Sequence, residues 1–79
     1  MGEGMMATTK KVLEYVEFFI DTRGYSPTIR EIAAELGLST GAIHSHLELL
    51  RDMALISWTP GKARTIVLPE DRPEGVWEE

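Results

Sequence analysis

The stretch Pro27–Leu50, "PTIREIAAELGLSTGAIHSHLELL", decides the fold. It holds two short amphipathic segments separated by Gly37, Leu38 and Ser39. Pro27 pushes Ser26 into an extended conformation. Thr28 with Glu31 three residues later makes a capping box, so a helix begins here. Ile29, Ile32, Ala33 and Leu36 form its inner face, with Arg30, Glu31, Ala34 and Glu35 outside or at the edges. Gly37 ends it where a positive φ is favoured. Ser39 caps the next helix, predicted over 39–52. With Ile43 at the centre of its buried face, about 100° per residue sets Leu47 and Leu50 beside it. Gly41, His44, Ser45 and Glu48 then lie opposite, Thr40 at the margin, and Leu49 to the side and partly exposed.

Each residue at the crossing has a geometric reason. Ala33 must be small because the following helix passes close over it. Gly37 adopts a turn conformation that a β-carbon disfavours. Ile43 plugs the crossing from the other side. Ile32, Leu36, Leu38 and Leu47 fill the rest of a small core. This spacing resembles the helix-turn-helix of many DNA-binding repressors.

Outward from this pair, "TTKKVLEYVEFFIDTRG" carries Val12, Tyr15, Val16, Phe19 and Ile20 at spacings of three and four. That predicts an amphipathic first helix with a wide apolar stripe, capped by Thr8 or Thr9 and stopped by Gly24. After Met53-Ala54 the period changes. "LISW" (55–58) and "RTIVL" (64–68) are rich in β-formers, and Pro60-Gly61 between them is a strong turn signal. A hairpin over 55–68 is predicted, with Lys62 and Arg64 at or near its tip. The expected fold is mainly α with a small β-hairpin: a winged helix-turn-helix of three helices and a two-stranded wing. Residues 1–68 form one domain. Residues 69–79 are expected to be an acidic, disordered tail.

The totals restrict the function. Seventy-nine residues make one domain. With no cysteine there is neither a disulfide nor a thiolate metal site. No apolar run approaches the ~20 residues of a membrane span, and the start lacks a signal-peptide stretch, so a cytoplasmic chain with no membrane partner is expected. The net charge is -5. Residues 1–68 hold seven Lys/Arg against eight Asp/Glu, whereas 69–79 hold one Arg against five acids. The acidity therefore sits in the tail.

Over residues 7–68 the chain resembles the N-terminal DNA-binding domain of the LexA family of SOS-response repressors. The matching features are Pro27-Thr28, Glu31-Ile32-Ala33, His46-Leu47 and the wing from Leu55 to Leu68. The resemblance implies a three-helix domain with a small sheet. It implies operator binding through the third helix in the major groove, and repression by promoter occupancy. Three departures stand out. The segment from Gly37 to His46 is one residue shorter than the family pattern. Ala54 stands where the family tends to have Gly; at a positive φ this would cost about 1 kcal/mol. These 79 residues hold no counterpart of the LexA peptidase domain, through which LexA dimerises. A homodimer would pair by another surface; the alternative is a monomer.

The residues expected at base edges are Ser39, Thr40, Gly41, His44, Ser45 and Glu48, on the outer face of the third helix. Those expected on the DNA backbone are Ser26, Thr28 and Arg30 at the start of the second helix, and Lys62 and Arg64 on the wing. Lys10, Lys11 and Arg51 are further candidates. Plainer roles stand beside these. Thr28, Glu31 and Ser39 are explained by capping alone, and Lys62 and Arg64 by solubility of a turn. His44 and His46 are two apart and face different directions, so no metal is expected between them; His46 belongs at the edge of the core, and His44 can pair with Glu48. Ser39, Ser45 and Ser57 lack a catalytic partner, so neither an enzyme nor a cofactor is expected. The tail is a solvated terminus, or competes with phosphates, or takes a protein partner; Trp77 within it would dock on a neighbour or on a second chain. A second class of function is a winged-helix module that binds protein and not DNA, through Leu49, Trp58 and Trp77.

Overall fold

The computed structural model of this chain describes residues 4–71. Three helices appear in the expected order: α1 (Gly4–Arg23), α2 (Ile29–Leu36) and α3 (Thr40–Asp52). Each packs on the other two. Their shared core contains Val12, Leu13 and Val16 from α1, Ile32 and Ala33 from α2, and Ile43, Leu47 and Leu50 from α3. Ile43 is 0% exposed, as a plug at the crossing requires. Burying such a side chain stabilises by about 2 kcal/mol.

The local signals around α2 behave as predicted. Thr28 Oγ1 accepts from the Glu31 amide at 3.1 Å, and Glu31 Oε1 accepts from the Thr28 amide at 2.9 Å. Gly37 closes the helix at φ 69°, and the Leu38 amide donates to Ala33 O at 3.0 Å. Ser39 Oγ accepts from the Ala42 amide at 3.1 Å and so caps α3. Gly24, at φ 83°, follows the last residue of α1.

The start of α1 differs from expectation. The helix already runs through Thr8 and Thr9, so neither caps it. Thr9 is fully buried, and its Oγ1 lies 2.8 Å from His46 Nδ1. A long-range partner on α3, and not the helix end, determines where this threonine sits.

The wing is a larger correction. No strand forms among the described residues. One antiparallel bridge joins Ser57 to Val67, with both amide-to-carbonyl bonds made, at 2.9 and 2.8 Å. The chain does reverse at Pro60-Gly61, where Gly61 takes φ 85°. Two non-glycine residues border these segments in an unusual conformation. Ala54 at φ 63° and Arg64 at φ 58° both occupy the left-handed region. Ala54 stands at the end of α3, where its amide donates to Arg51 O and the Leu55 amide to Leu50 O, both at 3.0 Å. That bonding pattern ordinarily recruits glycine. Ala54 therefore occupies a positive-φ site, the condition under which alanine in place of the family's glycine is costly.

Alternation still orders the short segments. Leu55, Ile56 and Trp58 are buried and Ser57 is exposed; Ile66 is buried and Val67 exposed. Of the predicted acidic tail, Pro69 is half-buried and residues 70–71 form an exposed turn. The disorder expected for the remainder, and any docking of Trp77, concern residues outside those described.

Candidate nucleic-acid interface

The outer face of α3 begins with small side chains. Ser39, Thr40, Gly41 and Ser45 are exposed, and His44 is half-buried. First-turn amides of a helix lack intrahelical partners and carry partial positive charge toward whatever lies beyond them. At Gly41 an added β-carbon would meet nothing closer than Ser39 Oγ at 4.0 Å. The fold therefore has no steric need for glycine here. A glycine inside a helix costs roughly 0.5–1 kcal/mol relative to alanine.

Farther along α3, His44, Glu48 and Arg51 follow one another at spacings of four and three. His44 Nδ1 lies 3.6 Å from Glu48 Oε2, the pair foreseen from their spacing. His44 also meets the Trp58 ring edge to face, with centroids 4.8 Å apart and planes at 75°. Arg51 lies on the same indole, its Cζ 5.3 Å from the ring centroid. Aromatic contacts of this kind contribute about 0.5–1.5 kcal/mol beyond burial. His46 points elsewhere, into the core, where burial holds its pKa below the usual histidine value.

The start of α2 and the wing form the other part of the surface. Thr28, Ile29 and Arg30 share one cleft with residues 61–66 and Trp58. Among the predicted residues this brings together Thr28, Arg30, Lys62 and Arg64. Arg30 and Lys62 are exposed.

Arg64 has several internal partners. Its guanidinium donates to Ser26 O at 2.9 Å and, in a two-pronged contact, to Glu31 Oε1 and Oε2 at 3.1 Å each. It also stacks over Tyr25, with Cζ 4.9 Å from the centroid. Ser26 is likewise turned inward: it is buried, its Oγ donates to Pro27 O and accepts from the Ile66 amide. Glu31 thus serves both the cap and the wing. The Thr28 amide first, then the Arg64 guanidinium, hold its carboxyl below the usual carboxylate range.

Sequence reasoning missed Trp58 as a support for α3 and Glu31 as the partner of Arg64. Alternation of Ile56, Ser57 and Trp58 signals an inward indole. Nothing local signals a pairing between residues 31 and 64. The buried position of Trp58, 7% exposed, also removes it from the surface on which a protein-docking role would rely.

Comparison with known proteins completes the description. A family model described as the LexA DNA binding domain matches residues 3–65. A LexA repressor from Magnetococcus marinus is 36% identical over 72 residues, which are 91% of this chain and 31% of that protein. A transcription regulator LexA from Synechocystis is 33% identical over 75 residues, 94% of this chain and 37% of the relative. A LexA repressor from Marinobacter nauticus reaches 42% identity over 67 residues, 84% of this chain and 33% of the relative. The chain spans about a third of the length of these relatives.

Proposed function

This chain belongs to the LexA DNA-binding domain family, and from that premise we propose that it is a sequence-specific double-stranded DNA-binding repressor. Helix α3 enters the major groove, and the 55–68 segment lies against the flanking backbone as the wing. The observation that carries this reading is the open, small first turn of α3. Gly41 weakens its own helix and relieves no internal contact, so its benefit lies with something that approaches from outside.

The base-reading residues are Ser39, Thr40, Gly41, His44, Ser45 and Glu48. Serine and threonine hydroxyls bond several base edges, and Glu48 accepts from a cytosine amine. Thr28, Arg30 and Lys62 line the cleft beside them and contact phosphates. Ser26 and Arg64, with their internal partners, build the wing's position and act on DNA mainly through it. The near-neutral balance of residues 1–68 supplies little attraction for phosphate. Two copies on a two-fold symmetric site, with half-sites about one helical turn apart, double the number of contacts. Occupying a promoter in this way requires no catalysis. The cytoplasm is the compartment in which such a regulator acts; no described helix is long and apolar enough to cross a membrane.

The test separates binding from folding. Bound duplexes are selected from random DNA at low salt, and Gly41→Leu is then compared with the natural chain. The variant is expected to unfold at a higher temperature and to lose at least about tenfold in affinity for the selected duplex, the size of one good base contact. Equal binding by both proteins would count against helix α3 as the reading element. Protection of the selected site without two-fold symmetry would remove the dimer.

A further inference from the structure

We propose that Trp58 helps to set the DNA sequence preference of α3 from beneath, by holding His44 and Arg51 in place on its outer face. Trp58 acts as a positioning residue, and the inference rests on the DNA-binding reading above.

His44, Glu48 and Arg51 form one ridge along α3. On an open helix surface such long side chains exchange among several rotamers, and ordering them at a groove costs affinity. Here the ordering is done in advance. The indole of Trp58 meets the His44 ring at 4.8 Å and the Arg51 guanidinium at 5.3 Å. Glu48 approaches the same imidazole from the next turn, at 3.6 Å. His44 is therefore held by both the wing and its own helix.

The support is itself anchored on several sides. Trp58 is 7% exposed and belongs to the same core cluster as Ile56 and Ile66. The segment that carries it is tied across the wing by the Ser57–Val67 bridge. Arg64 and Ile66 then tie the wing to Ser26 and Glu31. A hydrogen bond to a base edge discriminates only when the side chain is placed within about half an ångström. A fixed imidazole meets that requirement; a mobile one samples neighbouring base edges and reads none of them well.

The experiment compares the full chain with Trp58→Leu, which keeps an apolar side chain and removes the ring. Trp58→Phe, retaining a smaller ring, is the second variant should the first fail to fold by circular dichroism. Probes are the duplex selected from random DNA, the same duplex with single base-pair changes, and a scrambled duplex. Trp58→Leu is expected to lose about tenfold on the selected duplex, the size of one base contact. The penalties for one or two base changes should flatten. Affinity and salt slope on the scrambled duplex should stay unchanged. Trp58→Phe should fall between. His44→Ala should act similarly, and adding Trp58→Leu to it should cost little more.

Equal losses on selected and scrambled duplexes, or additive losses in the double variant, overturn the inference. A second readout needs no DNA. The His44 ring protons should carry a ring-current shift in the NMR spectrum that vanishes in Trp58→Leu. A natural chain that binds its selected duplex with unshifted His44 protons overturns this inference alone. A natural chain that binds no duplex, with His44 shifted, overturns the DNA-binding reading and the inference with it.

Discussion

Between Thr28 and Ser39 the bonds that set the backbone span at most five residues: Thr28 with Glu31, and Leu38 with Ala33. Between Leu55 and Leu68 the short-range order is one bridge, a turn, and the Thr65 hydroxyl bonded to Thr59 and Lys62. The decisive bonds there reach back 33 to 40 residues, from Arg64 and Ile66 to Glu31 and Ser26. Two neighbouring parts of one surface are thus built by different means. The turn is specified locally and pressed onto a core. The wing is docked, by Leu55, Ile56, Trp58 and Ile66 in the shared core and by polar contacts to the start of α2. A wing docked on Glu31 and Ser26 moves with α2, so the two surfaces stay in register although the wing lacks a ladder of its own.

The largest effect should come from the turn. Ile43→Ala removes the plug at the crossing, and a fully buried isoleucine lost this way costs about 2–5 kcal/mol. In a domain of this size each kcal/mol lowers the midpoint by roughly 4–8 °C. Thermal unfolding should therefore shift by about 8 °C or more, and amide protection should fall in turn and wing together. A wing that keeps its protection while the helices lose theirs would break the account of a docked segment.

Arg64→Ala should do the reverse. Charge-assisted hydrogen bonds contribute about 1.5–3 kcal/mol when shielded, but both partners here are well exposed, so about 1 kcal/mol is expected. Amide exchange at Ser57 and Val67 should accelerate while Leu38 remains protected. Faster exchange at Leu38 to the same extent would mean that the wing and the turn are one unit.

Ala54→Gly acts at the junction between them. The residue already has φ 63°, so glycine should raise stability by up to about 1 kcal/mol, seen as a higher denaturant midpoint at an unchanged slope. A lower midpoint would show that the strain is relieved by contacts of the alanine methyl.

Near neutral pH the smallest effect is that of His46. Its folded pKa lies below the ordinary histidine value of 6.5 because burial disfavours the cation. The unfolded chain therefore binds the proton more readily. This contribution to stability is present above pH 6.5 and declines as pH falls through that value toward the folded pKa. His46→Gln should flatten that part of the curve, measured as midpoint against pH; an unchanged slope would point to other groups.

Much of the helical frame is legible in the sequence, and the reason is range. Thr28, Glu31, Gly37 and Ser39 act on residues three to five positions away, so their spacing alone announces the caps. Ile43, Leu47 and Leu50 declare the buried face of α3 through its period. At Ala54 only the resemblance raised the question of a positive φ, because the family tends to have glycine there; the structure answers it. The wing misled because β-forming residues between turn signals describe a tendency to extend, whereas a ladder also needs regular partners across it. Arg64, at the border of the second segment, is in the left-handed region and not extended. Thr9 misled for a related reason: its type fits a cap, but its partner lies 37 residues away.

The sequence by itself determined three helices, their ends apart from the start of α1, the crossing at Ala33, Gly37 and Ile43, and the small exposed start of α3. These follow from local hydrogen bonding and from the period at which apolar groups recur. Only the tertiary structure decided that Arg64 holds the wing, that Ser26 turns inward, and that Trp58 lies under His44 and Arg51. Such contacts join residues far apart in the chain, where no spacing rule operates and only the closed fold brings the partners within reach.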